Sequence, residues 1–183
     1  MSRSKDTIPH SILVSRSVIE ETVSRLATEI ANDYRGRELV VVGVLKGAFI
    51  FMADLVRQIN IPLEIDFITV SSYGGGTESS RSITVHQDIT ADIRGKDVLV
   101  IEDIIDTGHT LCHLLEHLKA KGARSVRLCA LADKPSRREQ DVAVDYLGFT
   151  VPDRFIVGYG LDFDNCFRYL PDIYALEEYD DHR

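Results

Sequence analysis

The chain has 183 residues, of which 44% are hydrophobic and 27% charged, and a formal net charge of −8. These values are typical of one globular domain that buries a sizeable core. The acidic balance argues against a nucleic-acid surface, because proteins bind a phosphate backbone with clustered Lys and Arg.

The sequence gives no sign of export or of membrane insertion. No apolar run approaches the length of a membrane span, and the opening MSRSKDTIPH holds no apolar run that could act as a secretory signal. The cysteines are odd in number and far apart, at Cys112, Cys129 and Cys166. This spacing is typical of a reducing compartment, so we expect a cytoplasmic protein with no membrane partner.

Helical and strand patterns alternate along most of the chain. Residues 17–35 carry apolar side chains spaced for one helical face, namely Val18, Ile19, Val23, Leu26, Ala27 and Ile30. The apolar run LVVVGVL at 39–45 indicates a strand buried on both faces. The patterns that follow predict, in order, a helix, two strands, a helix and a strand, over residues 48–59, 63–73, 98–101, 107–121 and 126–134. This alternation predicts βαβ units and an open, mostly parallel sheet.

Two segments interrupt the alternation. YGGGTESSRSITVHQD at 73–88 is rich in glycine and small polar residues, which is typical either of a mobile lid or of an exposed hairpin. After Lys134 the patterns predict short strands and turns instead of helices. No shift in composition marks a second domain, so we expect residues 1–183 to form a single one.

Three carboxylates fall within five residues in VLVIEDIIDTGHTL at 98–111, namely Glu102, Asp103 and Asp106. The segment ends a predicted strand and begins a helix, where ligands bind on open α/β sheets. Hydroxyl and backbone N–H groups of residues 107–110 would offer a phosphate cradle at the helix start. Helix capping would explain one acid and leave Glu102 and Asp103 unexplained.

Two further signals are weaker. HLLEH at 113–117 matches the H-x-x-E-H pattern of inverted zinc proteases, and His109 would extend a row of histidines along one helical face. A solvated helix face is the favoured interpretation, because short motifs often match by chance. In VLKGAFIF, from Val44, a Lys and a Gly follow a buried strand without forming a P-loop motif.

Five motifs occur together in one order: VLKG, SSYGG, EDIIDTG, LADKP and PDRFIVGYGLDFDNCFR. These motifs have the order and approximate spacing found in the hypoxanthine (guanine) phosphoribosyltransferases, which are type I phosphoribosyltransferases. The chain from about residue 39 to residue 168 therefore resembles that family. The resemblance implies an α/β sheet core at about 36–134 and a small hood built from the N-terminal segment and about 135–183. It also implies Mg²⁺ as cofactor and a homodimer or homotetramer.

The resemblance assigns roles on the donor side. Glu102 and Asp103 match the acidic pair that engages the ribose hydroxyls directly or through magnesium-bound water, and Asp106 matches the general base. The residues that match the 5′-phosphate loop are Asp106, Thr107, Gly108, His109 and Thr110. Those that match diphosphate contacts are Lys46, Gly47, Ser72, Tyr73 and Arg168, with a cis peptide expected before Lys46 and the lid tip at Ser72 and Tyr73.

The resemblance also assigns a purine site. Lys134 matches the residue that binds the exocyclic oxygen, Phe155 the stacking ring, and Ile156 the backbone that meets the purine edge. Asp162 is grouped with this site and matches a magnesium ligand. The implied reaction transfers 5-phosphoribosyl from its 1-diphosphate to N9 of hypoxanthine or guanine, giving IMP or GMP and diphosphate. A nucleotide-sensing regulator of the same fold is the alternative. Such a regulator could lose Asp106, Lys134 and the lid residues, but all of them are present in this sequence.

Overall fold

The computed structural model describes residues 11–72 and 83–176. The first range and the start of the second contain β1 (Ser11–Val14), α1 (Arg16–Asp33), β2 (Leu39–Leu45), α2 (Phe49–Val56), β3 (Glu64–Ser72) and β4 (Ile83–Gln87). The remainder contains β5 (Asp97–Ile105), α3 (His109–Ala120), β6 (Ser125–Asp133), a 3₁₀ turn (Pro135–Arg137), β7 (Tyr146–Thr150), β8 (Ile156–Val157) and β9 (Ile173–Ala175). No helix in these ranges is long and apolar enough to cross a membrane.

Six strands form the central sheet in the order β4-β3-β2-β5-β6-β7. Neighbouring strands are parallel except for β3 and β4, which pair antiparallel. The open, mostly parallel sheet predicted from the sequence is therefore confirmed. β4 lies inside the segment predicted as a lid or hairpin, and it forms one arm of a hairpin with β3.

Helices cover both faces of the sheet, as the alternating pattern predicts. On one face α1 and α2 bury Leu26, Ile30 and Phe51 against the strands, and on the other α3 buries Leu114 and Leu118. Each fully buried side chain of this kind contributes about 1.5–3 kcal/mol. These two layers fix the strands, and with them the loops at the carboxyl edge of the sheet.

The second sheet is small and has the order β1-β9-β8. A separate apolar cluster that includes Val157, Phe167 and Leu170 packs beside it. β7, which falls within the residues predicted for the hood, instead pairs with β6 in the central sheet. The division of the chain into a core and a hood stays a prediction.

β5 is longer than its predicted range of 98–101. Its pairing with β6 continues as far as Ile105↔Asp133, so Glu102 and Asp103 lie on the strand itself and not in the turn after it. α3 correspondingly begins at His109, two residues later than predicted. The acidic side chains are thus held by sheet hydrogen bonds, which a loop would not provide.

A buried carboxylate anchors the start of β5. Asp97 is 1% exposed, accepts two hydrogen bonds from Arg124 at 3.0 and 2.5 Å, and accepts a third from the Ser125 hydroxyl at 2.7 Å. The bonds from Arg124 lower the pKa of this carboxyl below its usual value, against the effect of burial. The ion pair therefore joins the first residues of β5 to the start of β6.

We expect Asp97→Asn to lower the free energy of unfolding by about 1–3 kcal/mol at neutral pH, because it leaves buried donors poorly paired. Since the folded-state pKa is lowered, this contribution is present above the usual carboxyl pKa and is lost as pH falls through the lowered value. Denaturant unfolding at several pH values measures the difference. Asp92→Asn, which alters an exposed pair with Arg94, is the control and should leave the unfolding midpoint unchanged. An Asp97→Asn penalty that stays constant down to the lowest pH would contradict this account.

Candidate active site

The strand order places a crevice between β2 and β5. β2 has β3 on its other side and β5 has β6, so the connections after these two strands leave in opposite directions. Open α/β sheets bind ligands at such a switch point, outside the carboxyl ends of the strands. The segment after β2 carries Lys46 and Gly47, and the segment after β5 carries Asp106.

The pairing between β2 and β5 ends before β5 does. Its last register pair is Gly43↔Ile101, whereas β5 continues to Ile105. The last four residues of β5 therefore border the chain that leaves β2. That chain begins with a cis peptide bond between Leu45 and Lys46, as the family resemblance predicts.

Close backbone packing joins this chain to β5. A Cβ atom on Gly47 would lie 1.6 Å from Asp103 Oδ2, and a Cβ atom on Gly160 would lie 2.2 Å from the Gly47 carbonyl oxygen. Gly160 also has a φ of +100°, which favours glycine. Only glycine fits at either position, so Asp103, Gly47 and Gly160 form one packed layer.

Glu102 and Asp103 are adjacent carboxylates for which residues 11–72 and 83–176 supply no counter-cation. No described Lys, Arg or His forms an ion pair with either of them. Burial and then the charge of Asp103 raise the pKa of Glu102 well above its usual value. The described part of the chain therefore leaves negative charge here that a bound cation would offset.

Asp106 follows β5 directly and meets an arginine from another loop. Arg137 Nε lies 3.0 Å from Asp106 Oδ1, and Arg137 Nη1 lies 3.7 Å from Asp153 Oδ1. The first contact is an ion pair whose N–H direction does not satisfy a hydrogen bond, so Oδ1 is buried without a hydrogen-bond donor among the described residues. A single guanidinium thus bridges two carboxylates.

Lys134 follows β6 as Asp106 follows β5. The register pair Ile105↔Asp133 ends the two neighbouring strands, and the Lys134 amide donates to the Ile105 carbonyl at 3.0 Å. The Lys134 residue is only 5% exposed, and its ammonium group has no hydrogen bond or ion pair with any described residue. An ammonium on a largely buried side chain in this situation can donate to an acceptor from outside the chain.

The turn between β5 and α3 is held by contacts with residues 139–140. The Thr107 carbonyl accepts the amides of Glu139 and Gln140, both at 3.0 Å, and His109 Nε2 lies 2.8 Å from Glu139 Oε2. The helix cap is Gly108, which has no side chain, rather than Asp106 or Thr107. The first amides of α3 therefore lack intrahelical acceptors, as at any helix start, and no side chain caps them.

The purine-site residues Phe155 and Ile156 lie at the edge of the small sheet. The Phe155 carbonyl accepts the Leu176 amide at 2.9 Å, so its backbone groups face β9. Because backbone direction alternates along an antiparallel strand, the backbone groups of Ile156 face the open edge of β8. The Phe155 ring packs edge-on against Phe163, with centroids 5.3 Å apart.

Asp162 and Arg168 lie close enough to pair with each other. Arg168 Nη2 is 2.5 Å from Asp162 Oδ1, and Arg168 Nη1 donates to the Gly160 carbonyl at 2.5 Å. Asp162 Oδ2 accepts the Asn165 amide at 2.7 Å. This hairpin reaches the crevice through the contact between Gly160 and Gly47 described above.

The structure gives no support to the zinc interpretation of HLLEH. His109 contacts Glu139, whereas His117 contacts Asp88, which also pairs with Lys121. Within residues 11–72 and 83–176, no three His, Cys, Asp or Glu side chains form a group that could hold a metal ion. His109 and His117 therefore serve different contacts.

The predicted lid residues are only partly described. Ser72 ends β3, and its backbone pairs with Ile83 of β4. Tyr73 lies outside the described residues, so its role stays a prediction.

Sequence reasoning missed three residues that complete the site, namely Arg137, Asp153 and Gly160. Arg137 begins the basic pair that follows LADKP after Ser136, and this position was the available signal. Its contact with Asp106 spans 31 positions of sequence, which no local pattern indicates. The close approach of Gly160 to Gly47 is likewise visible only in three dimensions.

Comparison with known proteins gives one consistent result. Residues 13–164 match the family model described as phosphoribosyl transferase domain. The chain is 46% identical over 162 residues to a hypoxanthine phosphoribosyltransferase of Salmonella typhimurium, which covers 87% of this chain and 91% of that one. It is 47% identical over 167 residues to a hypoxanthine-guanine phosphoribosyltransferase of Streptococcus pneumoniae, with coverage of 91% and 93%. The crystal structure of a hypoxanthine phosphoribosyltransferase from Staphylococcus aureus matches with a TM-score of 0.90 and 41% identity, covering 97% of this chain and 96% of that one.

We expect Glu102→Gln to stabilise the free protein, because the neutral amide removes a charge that the site disfavours. Since the folded-state pKa of Glu102 is raised, the wild type loses stability as pH rises from the usual carboxyl value through the raised one. The variant should therefore match the wild type in acid and exceed it at neutral pH, by on the order of 1 kcal/mol. Thermal melts across pH measure this, with the exposed Glu21→Gln as matched control. A variant that is less stable than the wild type at neutral pH would contradict the account of this charge.

Proposed function

Because the chain belongs to the phosphoribosyltransferase family, among the hypoxanthine and hypoxanthine-guanine enzymes that it matches, we propose that it is a purine salvage enzyme. Its reaction transfers a 5-phosphoribosyl group from the 1-diphosphate donor to N9 of hypoxanthine or guanine. The products are IMP or GMP and diphosphate. The observation that carries this proposal is the placement of Asp106 beside Lys134 on neighbouring strand ends.

An acceptor and a donor side by side match one edge of a 6-oxopurine. N7 and the 6-oxygen of hypoxanthine lie next to each other, so a carboxylate can take the N7 proton while an ammonium donates to the oxygen. Asp106 supplies the carboxylate and Lys134 the ammonium. The largely buried Lys134 side chain, whose ammonium has no partner among the described residues, supports this role, because an oxygen acceptor would satisfy it.

The remaining purine contacts follow from the small sheet. Phe155 would stack on the base, held in orientation by its edge-on contact with Phe163. The backbone groups of Ile156, which face the open edge of β8, would meet the polar edge of the ring.

The donor would bind along β5 and the turn that follows it. Glu102 and Asp103 offer carboxylate oxygens, which are the acceptors that ribose hydroxyls need. Residues 106–110 lead into the first turn of α3, whose amides and helix dipole favour a phosphate. Lys46, Gly47 and Arg168 would contact the diphosphate, with Ser72 and Tyr73 at the tip of a lid that excludes water.

The residues at this edge fit a magnesium ion. Mg²⁺ prefers oxygen ligands and is bound by one or two carboxylates together with water and substrate phosphates, so no cluster of three protein ligands is required. Burial, and then the charge of Asp103, raises the pKa of Glu102, and a bound cation would offset both effects. Glu102, Asp103 and Asp162 are the residues that would hold the ion, and for Asp162 the pair with Arg168 would have to open. When bound, magnesium would neutralise charge on the diphosphate.

The reaction then follows from the positions of these groups. N9 attacks C1 of the ribose, the bond from C1 to the diphosphate oxygen breaks, and the N7 proton passes to the Asp106 carboxylate. Lys46 and Arg168 hold the charge of the departing diphosphate. Positive charge does not build up on the base, because proton removal accompanies attack.

Two further expectations belong to this proposal. A homodimer or homotetramer is supported by large apolar side chains on the surface, including Ile12, Val18, Phe49 and Tyr169, which a partner copy could cover. A cytoplasmic location is supported by the three cysteines, all of which are free thiols.

The reaction itself is tested with Asp106→Asn, which keeps the size of the side chain and removes the base. Purified wild type with donor, magnesium and hypoxanthine, guanine or xanthine should form nucleotide with at least one base. We expect the variant to lose roughly 10²–10⁴ in kcat while the donor KM changes little, because the loss falls on proton transfer. Wild-type turnover by Asp106→Asn would remove Asp106 from the mechanism.

Lys134 is expected to determine specificity at the 6-position. Its ammonium can only donate, so the 6-amino group of adenine would meet it donor to donor, and a site of this kind can reject adenine by about 10⁴. Lys134→Gln, whose amide can also accept, should lose activity with hypoxanthine and narrow the gap to adenine. The ratio of kcat/KM for the two bases in both proteins measures this, with exposed Lys119→Gln as control. An unchanged ratio would show that Lys134 does not read the 6-position.

A further inference from the structure

Residues 135–142, here called the strap, cross behind the turn between β5 and α3. The reaction described above gives the strap no role, yet several of its residues contact residues of the turn. Arg137 meets Asp106, the amides of Glu139 and Gln140 donate to Thr107, and Glu139 contacts His109. The strap begins directly after Lys134, so it connects the residue that would bind the purine oxygen to the residue that would take the N7 proton.

We propose that Arg137 is a positioning residue for Asp106, an inference that rests on the proposed function and deepens it. Its guanidinium lies 3.0 Å from Asp106 Oδ1 and is itself fixed, with a side chain only 23% exposed. The charge of a cation held at this distance attracts Oδ1 and so favours one orientation of the carboxylate. Arg137 does not need to touch the purine, because it acts through the base.

Asp153 gives Arg137 a second partner when the base becomes neutral. In the reaction the N7 proton passes to the Asp106 carboxylate, which then no longer balances the guanidinium charge. Asp153 Oδ1 lies 3.7 Å from Arg137 Nη1, on the turn that leads to Phe155. The guanidinium therefore keeps a counter-charge throughout the step and stays near the base for the reverse transfer.

The neighbouring Arg138 provides a matched comparison. It also lies in the strap and also pairs with a carboxylate, Asp133 at the end of β6. It forms no ion pair or hydrogen bond with Asp106 among the contacts that the structure describes. If the strap only needed an arginine to stay folded, the two arginines would be equivalent, whereas a positioning role belongs to Arg137 alone.

A double-mutant cycle tests the proposal. We expect Arg137→Gln to lower kcat with hypoxanthine by about tenfold, with the donor KM changed less than about twofold. In the Asp106→Asn background the same substitution should change the residual kcat by less than about twofold, because the group it positions is gone. Arg137→Lys should recover part of the loss, since it keeps a cation. Arg138→Gln should lower the melting temperature while kcat stays within about twofold.

If Arg137→Gln lowered kcat by the same factor in the wild-type and Asp106→Asn backgrounds, the positioning role would be overturned, since Arg137 would then act independently of the base. A loss of kcat in Arg138→Gln as large as in Arg137→Gln would also overturn it, because the effect would come from the strap as a whole. Both results leave the proposed function standing. A wild-type protein that forms no nucleotide from any 6-oxopurine would instead refute the proposed function and this inference with it.

Discussion

Burial of two adjacent carboxylates, Glu102 and Asp103, is the constraint on which the proposed site depends. Burial and mutual repulsion both disfavour their charged forms, so the fold has to hold them in place. Extended pairing of β5 with β6 holds the backbone at one end, and Asp97, bound by Arg124 and Ser125, anchors the strand at the other. In the proposed function, the charge that remains at the crevice would draw a cation and its anionic donor to this edge of the sheet.

Because β5 and β6 are adjacent, the proposed site has an acidic side and a basic side. β5 carries Glu102 and Asp103 and leads into Asp106, and Lys134 follows β6 one position past the last register pair, so Asp106 and Lys134 follow adjacent strand ends. The chain that leaves β2 closes the crevice only because Gly47 and Gly160 let backbone and carboxylate approach. Most donor contacts of the proposed reaction thus come from the central sheet, whereas the purine contacts combine the ends of β5 and β6 with the small sheet.

The sequence predicted those parts whose physical cause is local. The apolar run LVVVGVL predicted both ends of β2 correctly, because a strand buried on both faces has no polar residue that would obscure its limits. The extent of β5 was underestimated, because Glu102 and Asp103 look like a turn until their pairing with β6 is known. Val18 was expected on the buried face of α1 but is 46% exposed, since it lies one residue away from the row formed by Ile19 and Val23. The contact of Arg137 with Asp106 joins segments that no periodicity relates.

The central claim is that the carboxylates of β5 serve a cation and a phosphorylated ribose together. Calorimetric titration of 5-phosphoribosyl 1-diphosphate into the protein, in magnesium and then in excess chelator at equal ionic strength, tests it most directly. The account predicts a Kd at least about tenfold lower with magnesium, because the uncompensated charge of Glu102 and Asp103 otherwise repels the donor. Equal affinity in both solutions would contradict it.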